Sequence, residues 1–424
     1  MKCDILQDFL NVYNKINNWE EHSLPLCAAE NITSNFVRLP KTTFLQEKYI
    51  LGGTLNYNNN NFFGSENLYE IYSLVQKQCN KMFNCLYSDA RTLSGINAIV
   101  SILMCLFNVG DTVMITSPDY GGHSSIPVIC DRLGLNVIYI PYDYENKDFD
   151  YPKINAMLKE MEIKGLLIAL SDMIEQPQLH KINASNEIIL YDATQILGLI
   201  ATGCLENPFN WFSENKNFIL LGATHKTIPG PTSGLIMTNN LKLAKTFDSK
   251  INPDYLRNVQ LDNIVGLLFA LLELEHFGCK YFLVMQNLLN VVAKNICNSR
   301  ITVIKTREGR FSNTHQLWLS IDQKYLDDFE KNAILARVSL NIRKRKIYGY
   351  SGVRLGFQQI ARYNWNNKDA EIIAKILDTL CSKTYKQSKL LQLLNLLSSK
   401  KVHFTFDDQT IKNVYDVLHN SNVK

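Results

Sequence analysis

The chain has 424 residues, 46% hydrophobic and 20% charged, the balance of an ordinary globular protein and not of a disordered one. Its net charge of +4 is spread without a basic block, which suits an anionic small molecule and argues against a nucleic-acid partner. The longest apolar run, 264–272, is too short to cross a bilayer, so no membrane association is expected.

Residues 1–22 are interrupted by charge too often for a signal segment. Within them Ile5, Phe9, Val12 and Ile16 recur at helical spacing and predict an N-terminal helix. From about residue 69, helical segments alternate with short apolar runs at 112–116, 137–140, 166–170, 188–191, 218–221 and 235–237. That alternation predicts an α/β fold with a mostly parallel sheet covered on both faces. A helical stretch at 263–274 leads into a longer one at 280–297. A smaller α+β unit follows, with a strand at 316–321 and helices at 327–336 and 368–380. The expected division is an N-terminal helical arm (1–35), a large domain (36–280), a small C-terminal domain (281–381) and a polar-faced helical extension (382–424).

The ten cysteines form no CxxC pair and no histidine cluster accompanies them, so no metal site is expected. Cys27, Cys105, Cys130 and Cys204 lie in apolar stretches, where a thiol behaves as a small hydrophobe. They read as reduced core residues of a cytoplasmic protein.

Chemistry concentrates in a few segments. In GATHKTIPGPTSG (222–234) Lys226 follows one apolar run and precedes a Gly/Pro-rich turn. An isolated lysine is ordinarily a solvated surface residue. Between two buried-looking strands an unpaired ammonium is costly, and an imine to an aldehyde cofactor both removes that cost and makes the amine a covalent catalyst. Asp192 ends the run IILY, at the edge of an α/β sheet where ligands collect. There a carboxylate can pair with a pyridinium nitrogen and keep it protonated; alone, it would equally be a helix cap.

The turn TLSGINA (92–98) opens a helix, and the N–H groups around Ser94, Gly95 and Ile96 suit a phosphate, or merely a cap. In DYGGH (119–123) the paired glycines let the backbone turn closely, so that His123 can lie flat on a cofactor ring; an isolated histidine is more often structural. In SGVRLG (351–356) Arg354 can present its fork to an α-carboxylate, or tether domains through a salt bridge.

In this order, these elements resemble serine hydroxymethyltransferase and its relatives, within the fold-type-I, aspartate-aminotransferase-like enzymes that use pyridoxal 5′-phosphate. The similarity is carried by Ala29-Glu30-Asn31-Ile32-Thr33-Ser34, Lys48-Tyr49, Phe63-Gly64, Ser94-Gly95, Gly121-Gly122-His123, Asp192-Ala193, Gly198-Leu199-Ile200-Ala201, Thr224-His225-Lys226-Thr227 and Ser351-Gly352-Val353-Arg354-Leu355-Gly356. It implies a large domain with a seven-stranded type of sheet and a smaller α+β C-terminal domain. It also implies Lys226 as the Schiff-base lysine, Asp192 as the pyridinium partner, His123 as the ring-stacking residue and Arg354 as the substrate-carboxylate clamp. Ser94, Gly95, Ile96, Thr224 and His225 would serve the cofactor's phosphate side, and Ser171 would be a further cofactor contact. Tyr49 would reach the site from the neighbouring subunit of a homodimer with shared active sites.

The departures from the family pattern bear on function. The family's Tyr-Ala-Glu-Gly is Tyr49-Ile50-Leu51-Gly52 here, so the proton-shuttling glutamate is replaced by Leu51. Phe63 stands where the family has a tyrosine near the substrate, and Gln195 replaces a histidine near the cofactor phenolate. The family's folate loop is shortened to the basic segment 341–350. The first reading is therefore a PLP enzyme catalysing folate-independent Cα–Cβ chemistry, aldol or transaldol, on glycine or a β-hydroxy amino acid. Other readings are transamination, racemisation or decarboxylative condensation, a folate-dependent serine hydroxymethyltransferase, and a non-catalytic regulatory homologue.

Overall fold

The computed structural model describes residues 4–55, 62–212, 216–382 and 387–419. The chain opens on helix α1 (Asp4–His22), which buries none of its residues. Two compact units are distinguished: one comprises the chain up to Ala29 together with Leu283–His403, the other Glu30–Phe282 together with the chain from Phe404 on.

The second unit is built on a seven-stranded sheet. Its strands are β1 (Tyr87–Asp89), β2 (Thr112–Ile115), β3 (Asn136–Tyr139), β4 (Gly165–Ala169), β5 (Ile188–Asp192), β6 (Phe218–Ala223) and β7 (Gly234–Thr238). Their order across the sheet is β1-β7-β6-β5-β4-β2-β3. β7 runs antiparallel to both its neighbours, and the remaining pairings are parallel. All strands but β7 thus point the same way, and their carboxyl ends share one edge. β4, β5, β6 and β7 are buried along their whole length, which is why they read as continuous apolar runs instead of alternating. Helix α2 (Tyr69–Phe83) precedes β1, and α3 (Gly95–Leu106) follows it. From α3, Ile99 and Ile102 pack into the cluster holding Leu190, Ile219, Leu221 and Ile236 of the sheet.

The apolar runs read from the sequence match β2 to β7 within a residue or two. β1 was not anticipated: it has three residues, two of them Ser88 and Asp89. The short helix α4 (Leu197–Ala201) follows β5, and α5 (Leu261–Asn295) is one continuous helix where two were expected. Gly278 at the expected break is a close-packing residue instead, since a Cβ there would stand 2.4 Å from Thr202 Cγ2. Cys204 corrects the reading of a core thiol. α4 ends at Ala201, Gly203 turns the chain at φ 70°, and Cys204 emerges exposed while Cys27 and Cys130 are buried.

In the other unit, β8 (Ile301–Ile304), β9 (Gln316–Ile321), β10 (Asn341–Arg343) and β11 (Gly352–Gly356) form an antiparallel sheet in the order β8-β9-β11-β10. Helix α6 (Asn367–Leu380) belongs with it and starts on an Asn366/Asp369 capping box. Of the extension, Phe406 returns to the seven-stranded unit and packs on Phe36 at 4.8 Å between ring centres, ahead of α7 (Asp408–His419). No described helix is long and apolar enough to cross a membrane.

Candidate active site

The carboxyl edge of the seven-stranded sheet gathers most of the residues singled out by sequence. β6 ends at Ala223, and the chain then forms a closed turn to β7. Thr224 anchors it: its N–H donates to the Ser233 carbonyl at 3.1 Å, its hydroxyl to the Pro231 carbonyl at 2.6 Å, and its own carbonyl accepts from Gly230 N at 3.1 Å. Lys226 lies on this turn. Its carbonyl accepts from Asn31 Nδ2 at 2.5 Å, and next to it the Thr227 hydroxyl accepts from Gly198 N at 3.1 Å. Thr224 and Thr227 are fully buried, so the lysine projects from a fixed base.

Asp192 terminates β5, in register with Ala169 on β4 and Leu221 on β6. It is 8% exposed. Thr194 donates to its Oδ1 twice, from the backbone N at 2.9 Å and from Oγ1 at 2.5 Å, which leaves Oδ2 for another donor. The Thr194 hydroxyl accepts in turn from Ala223 N at 2.7 Å, tying Asp192 to the strand that delivers Lys226. Gly222 makes this approach possible: a Cβ on it would meet Thr194 N at 3.0 Å. Gln195 is buried in the same turn.

After β2 the chain rises through 117–121 to Gly122, which bridges to Leu170 past the end of β4. A Cβ on Gly122 would lie 2.4 Å from the Thr116 carbonyl, so only glycine allows this crossing. His123 N donates to Ala169 O at 2.9 Å, and Ser171 N to Gly121 O at 2.7 Å, which fixes His123 and Ser171 side by side. His123 Nδ1 accepts from Ser125 N at 3.2 Å, assigning the ring proton of the neutral imidazole to Nε2.

The α3 N-terminus stands at the same edge. Ser94 caps it, accepting from Asn97 N at 3.2 Å, and leaves the Gly95 and Ile96 N–H groups at the positive end of the helix dipole. Gly95 is pressed on β6, with its would-be Cβ 3.0 Å from Ala223 N. Two buried polar atoms here have no hydrogen-bond partner: Thr92 Oγ1 and His225 Nδ1. Burial, followed by the Lys226 charge, lowers His225 to about 4, so its ring is neutral near pH 7.

Tyr49 and Phe63 lie elsewhere on this unit's surface. Tyr49 is 37% and Phe63 92% exposed, and Tyr49 packs on Phe62 with ring centres 4.7 Å apart. The irregular segment after Tyr49 is held by three hydrogen bonds: Tyr69 Oη donates to Leu51 O, Gly52 N to Asn252 Oδ1 at 2.7 Å and Leu55 N to Asp248 Oδ2 at 3.0 Å. Asp248 belongs to a buried charge cluster in which Arg91 meets Asp89 at 2.5 Å and Asp248 at 4.0 Å.

Arg354 belongs to the four-stranded unit, on β11 opposite Asn341 and Trp318. It is 3% exposed, and its Nε and Nη2 both donate to Asn341 Oδ1, at 3.3 and 2.8 Å. Asn341, which the sequence reading placed in a shortened loop, is thus the residue that orients the arginine fork. Sequence reasoning also passed over Asn31, Thr92 and Thr194. Asn31 and Thr92 sat inside quoted motifs, but the contacts of Asn31 to Lys226 and of Thr194 to Ala223 are tertiary.

This set fits a phosphorylated pyridine aldehyde. The α3 terminus with Thr92 and His225 offers donors for a phosphate, Asp192 Oδ2 an acceptor for a ring N–H, and Lys226 an amine for the aldehyde.

The comparisons agree. A family profile described as serine hydroxymethyltransferase matches residues 4–377. The serine hydroxymethyltransferase of Archaeoglobus fulgidus is 26% identical over 404 residues, covering 91% of this chain and 90% of the relative. That of Methanothermobacter marburgensis is 27% identical, covering 95% and 96%. Among solved structures, the L-threonine transaldolase from Pseudomonas fluorescens in its internal aldimine state superposes with a TM-score of 0.88 at 21% identity, covering 98% of each chain.

Proposed function

The chain belongs to the serine hydroxymethyltransferase family of PLP-dependent enzymes, and within it we propose a folate-independent enzyme that makes or breaks the Cα–Cβ bond of an amino acid. Its substrates would be glycine or a β-hydroxy amino acid, with an aldehyde as the second partner. When bound, the cofactor supplies an electron sink for the carbanion at Cα. The chain supplies the rest: Lys226 the amine, Asp192 the carboxylate for the ring nitrogen, His123 the stacking face, and Arg354 the fork for the substrate carboxylate. Ser94, Gly95, Ile96 and His225 would serve the phosphate side, Thr224 would hold the turn beside them, and Ser171 and Gln195 would line the ring.

One observation carries the choice of chemistry. Leu51 stands where the family has its proton-shuttling glutamate, it is 7% exposed, and its carbonyl is occupied by Tyr69. A buried aliphatic side chain cannot exchange a proton. Threonine-type cleavage needs only a proton taken from the substrate hydroxyl, a task for an oxygen of the bound cofactor, since His123 Nε2 already carries the ring proton. This reading is supported by the fold shared with a protein named as an L-threonine transaldolase. The competing reading, folate-dependent hydroxymethyl transfer, takes its support from the names of the curated relatives.

We further propose a homodimer in which Tyr49 and Phe63 complete the partner's site. The open apolar side chains of α1, among them Ile5 at 76% and Phe9 at 58% exposed, and the 92% exposed Phe63 are surfaces that an interface would cover. The deciding experiment supplies threonine and an acceptor aldehyde to the PLP-loaded protein and follows acetaldehyde release. It is repeated with serine in the presence and absence of tetrahydrofolate.

A further inference from the structure

Two exposed cysteines meet at the turn that ends α4, outside the site described above. Cys204 follows the turn that ends α4, and Cys279 lies on α5. Cys279 Sγ donates to the Thr202 carbonyl at 3.7 Å, and the helix is pressed so closely on that turn that only glycine fits at 278. That contact places Cys279 against the turn on which Cys204 follows Thr202 by two residues. Both residues are exposed to solvent. Of the remaining described cysteines, Cys27, Cys79, Cys85, Cys130 and Cys381 are buried, Cys105 is half-buried, and the exposed Cys297 donates to the Asn295 carbonyl at 3.3 Å.

α4 touches the lysine turn directly, and α5 reaches it through Asn31. On the α4 side, Gly198 N donates to Thr227 Oγ1 at 3.1 Å. On the α5 side, Tyr281 Oη accepts from Asn31 Nδ2 at 3.2 Å, and the same amide donates to the Lys226 carbonyl. A covalent link between Cys204 and Cys279 would therefore join the two elements that brace Lys226 and Thr227 from either side.

We propose that Cys204 and Cys279 form a redox-responsive dithiol, closing to an intramolecular disulfide in the presence of a low-molecular-weight disulfide and thereby stiffening the Lys226 turn. One protein thiolate attacks the reagent's S–S bond, which breaks and releases one small thiol that takes up the proton. The second protein thiol then attacks the protein-side sulfur of the mixed disulfide and expels the second small thiol. Two electrons pass from the cysteine pair to the reagent, and a reducing dithiol reverses the exchange. Burial raises the Cys204 thiol above its ordinary value, which suits it to the second, intramolecular step, where proximity compensates for a smaller thiolate fraction.

The test treats the PLP-loaded protein with oxidised glutathione, then maps peptides without reduction. The expected result is a mass loss of two hydrogens, one cross-linked peptide pair joining Cys204 to Cys279, and recovery on adding dithiothreitol. Cys204→Ser and Cys279→Ser each remove the cross-link. Separate glutathione adducts on the two cysteines, no reaction at either, or a bridge to another cysteine would overturn the proposal, and the wild-type map decides this without the variants. Amide hydrogen exchange then compares the oxidised and reduced proteins. Slower exchange over 198–204 and 226–228 supports the coupling to the lysine turn, and unchanged exchange there overturns it.

Discussion

The Thr194 hydroxyl donates to Asp192 Oδ1 at 2.5 Å while accepting from Ala223 N at 2.7 Å. One small side chain thus sets the carboxylate proposed for the cofactor ring against the end of the strand that carries Lys226. A hydrogen bond to a buried charged group contributes roughly 1.5–3 kcal/mol. Thr194→Val keeps the volume and removes the hydroxyl, so cofactor affinity should fall by about 10–100-fold, with Thr194→Ser close to wild type. Titrating cofactor-free protein with PLP measures it. Equal affinity in the valine variant would show that Asp192 is oriented by its backbone donor alone.

Lys226 presents the amine on which the cofactor assignment rests. Its turn is held by Thr224, Thr227 and Asn31, none of which needs the lysine side chain. Lys226→Ala should therefore fold normally and lose the visible absorbance of the lysine-bound cofactor. Retention of that absorbance after dialysis would place the imine on another lysine.

His225 gives the cofactor-free protein a pH dependence of definite sign. Its native value is lowered to about 4, whereas an unfolded histidine titrates near 6.5. Between those values the unfolded chain holds the extra proton, so stability falls as pH drops from about 6.5 to about 4 and levels off below. The loss amounts to at most about 3 kcal/mol. Replacing His225 with glutamine should flatten this part of the profile, as read from urea midpoints at stepped pH. A wild-type and variant profile that run parallel would mean the imidazole titrates normally.

Gly122 tests the backbone route to His123. A Cβ there would sit 2.4 Å from the Thr116 carbonyl and 2.6 Å from that of Ser117, and backbone atoms at a strand end cannot yield cheaply. Gly122→Ala should destabilise the protein by about 1–3 kcal/mol and weaken cofactor binding by displacing His123 and Ser171 together. An unchanged urea midpoint would show that the crossing relaxes freely.

How far the sequence disclosed this arrangement depends on the range of the contact. Asp192, His123 and Lys226 were legible because each sits just beyond a buried strand, and buried strands write themselves as apolar runs. Ser94 and Gly95 were legible because a helix start has a local signature. Asn31 and the link from Thr194 to Ala223 were not, since those partners lie far off in the chain and any threonine or asparagine could occupy such a turn. β1 was missed because its pairing with β7 is supplied by the sheet and not by its three residues. Cys204 misled because an apolar stretch does not reveal where a glycine turns the chain outward.

Folate dependence separates the two readings of the reaction. In the family a glutamate close to the substrate hydroxyl relays a proton, and a positioned acid or base contributes roughly 10²–10⁴-fold. The sequence resemblance sets Leu51 at that position, and Leu51 is buried with its carbonyl bonded to Tyr69, so its own side chain has no proton to exchange. In the basic segment 341–350, Asn341 is committed to Arg354, and Tyr348 is 1% exposed and packs on Trp318 at 4.9 Å. Tetrahydrofolate should therefore leave serine turnover unchanged, while threonine releases acetaldehyde at a rate that an added acceptor aldehyde alters. The measurement is formaldehyde transfer from serine with and without tetrahydrofolate, alongside acetaldehyde release from threonine. A large folate-dependent rise with serine would mean that another residue relays the proton, and that this chain carries out the reaction its curated relatives are named for.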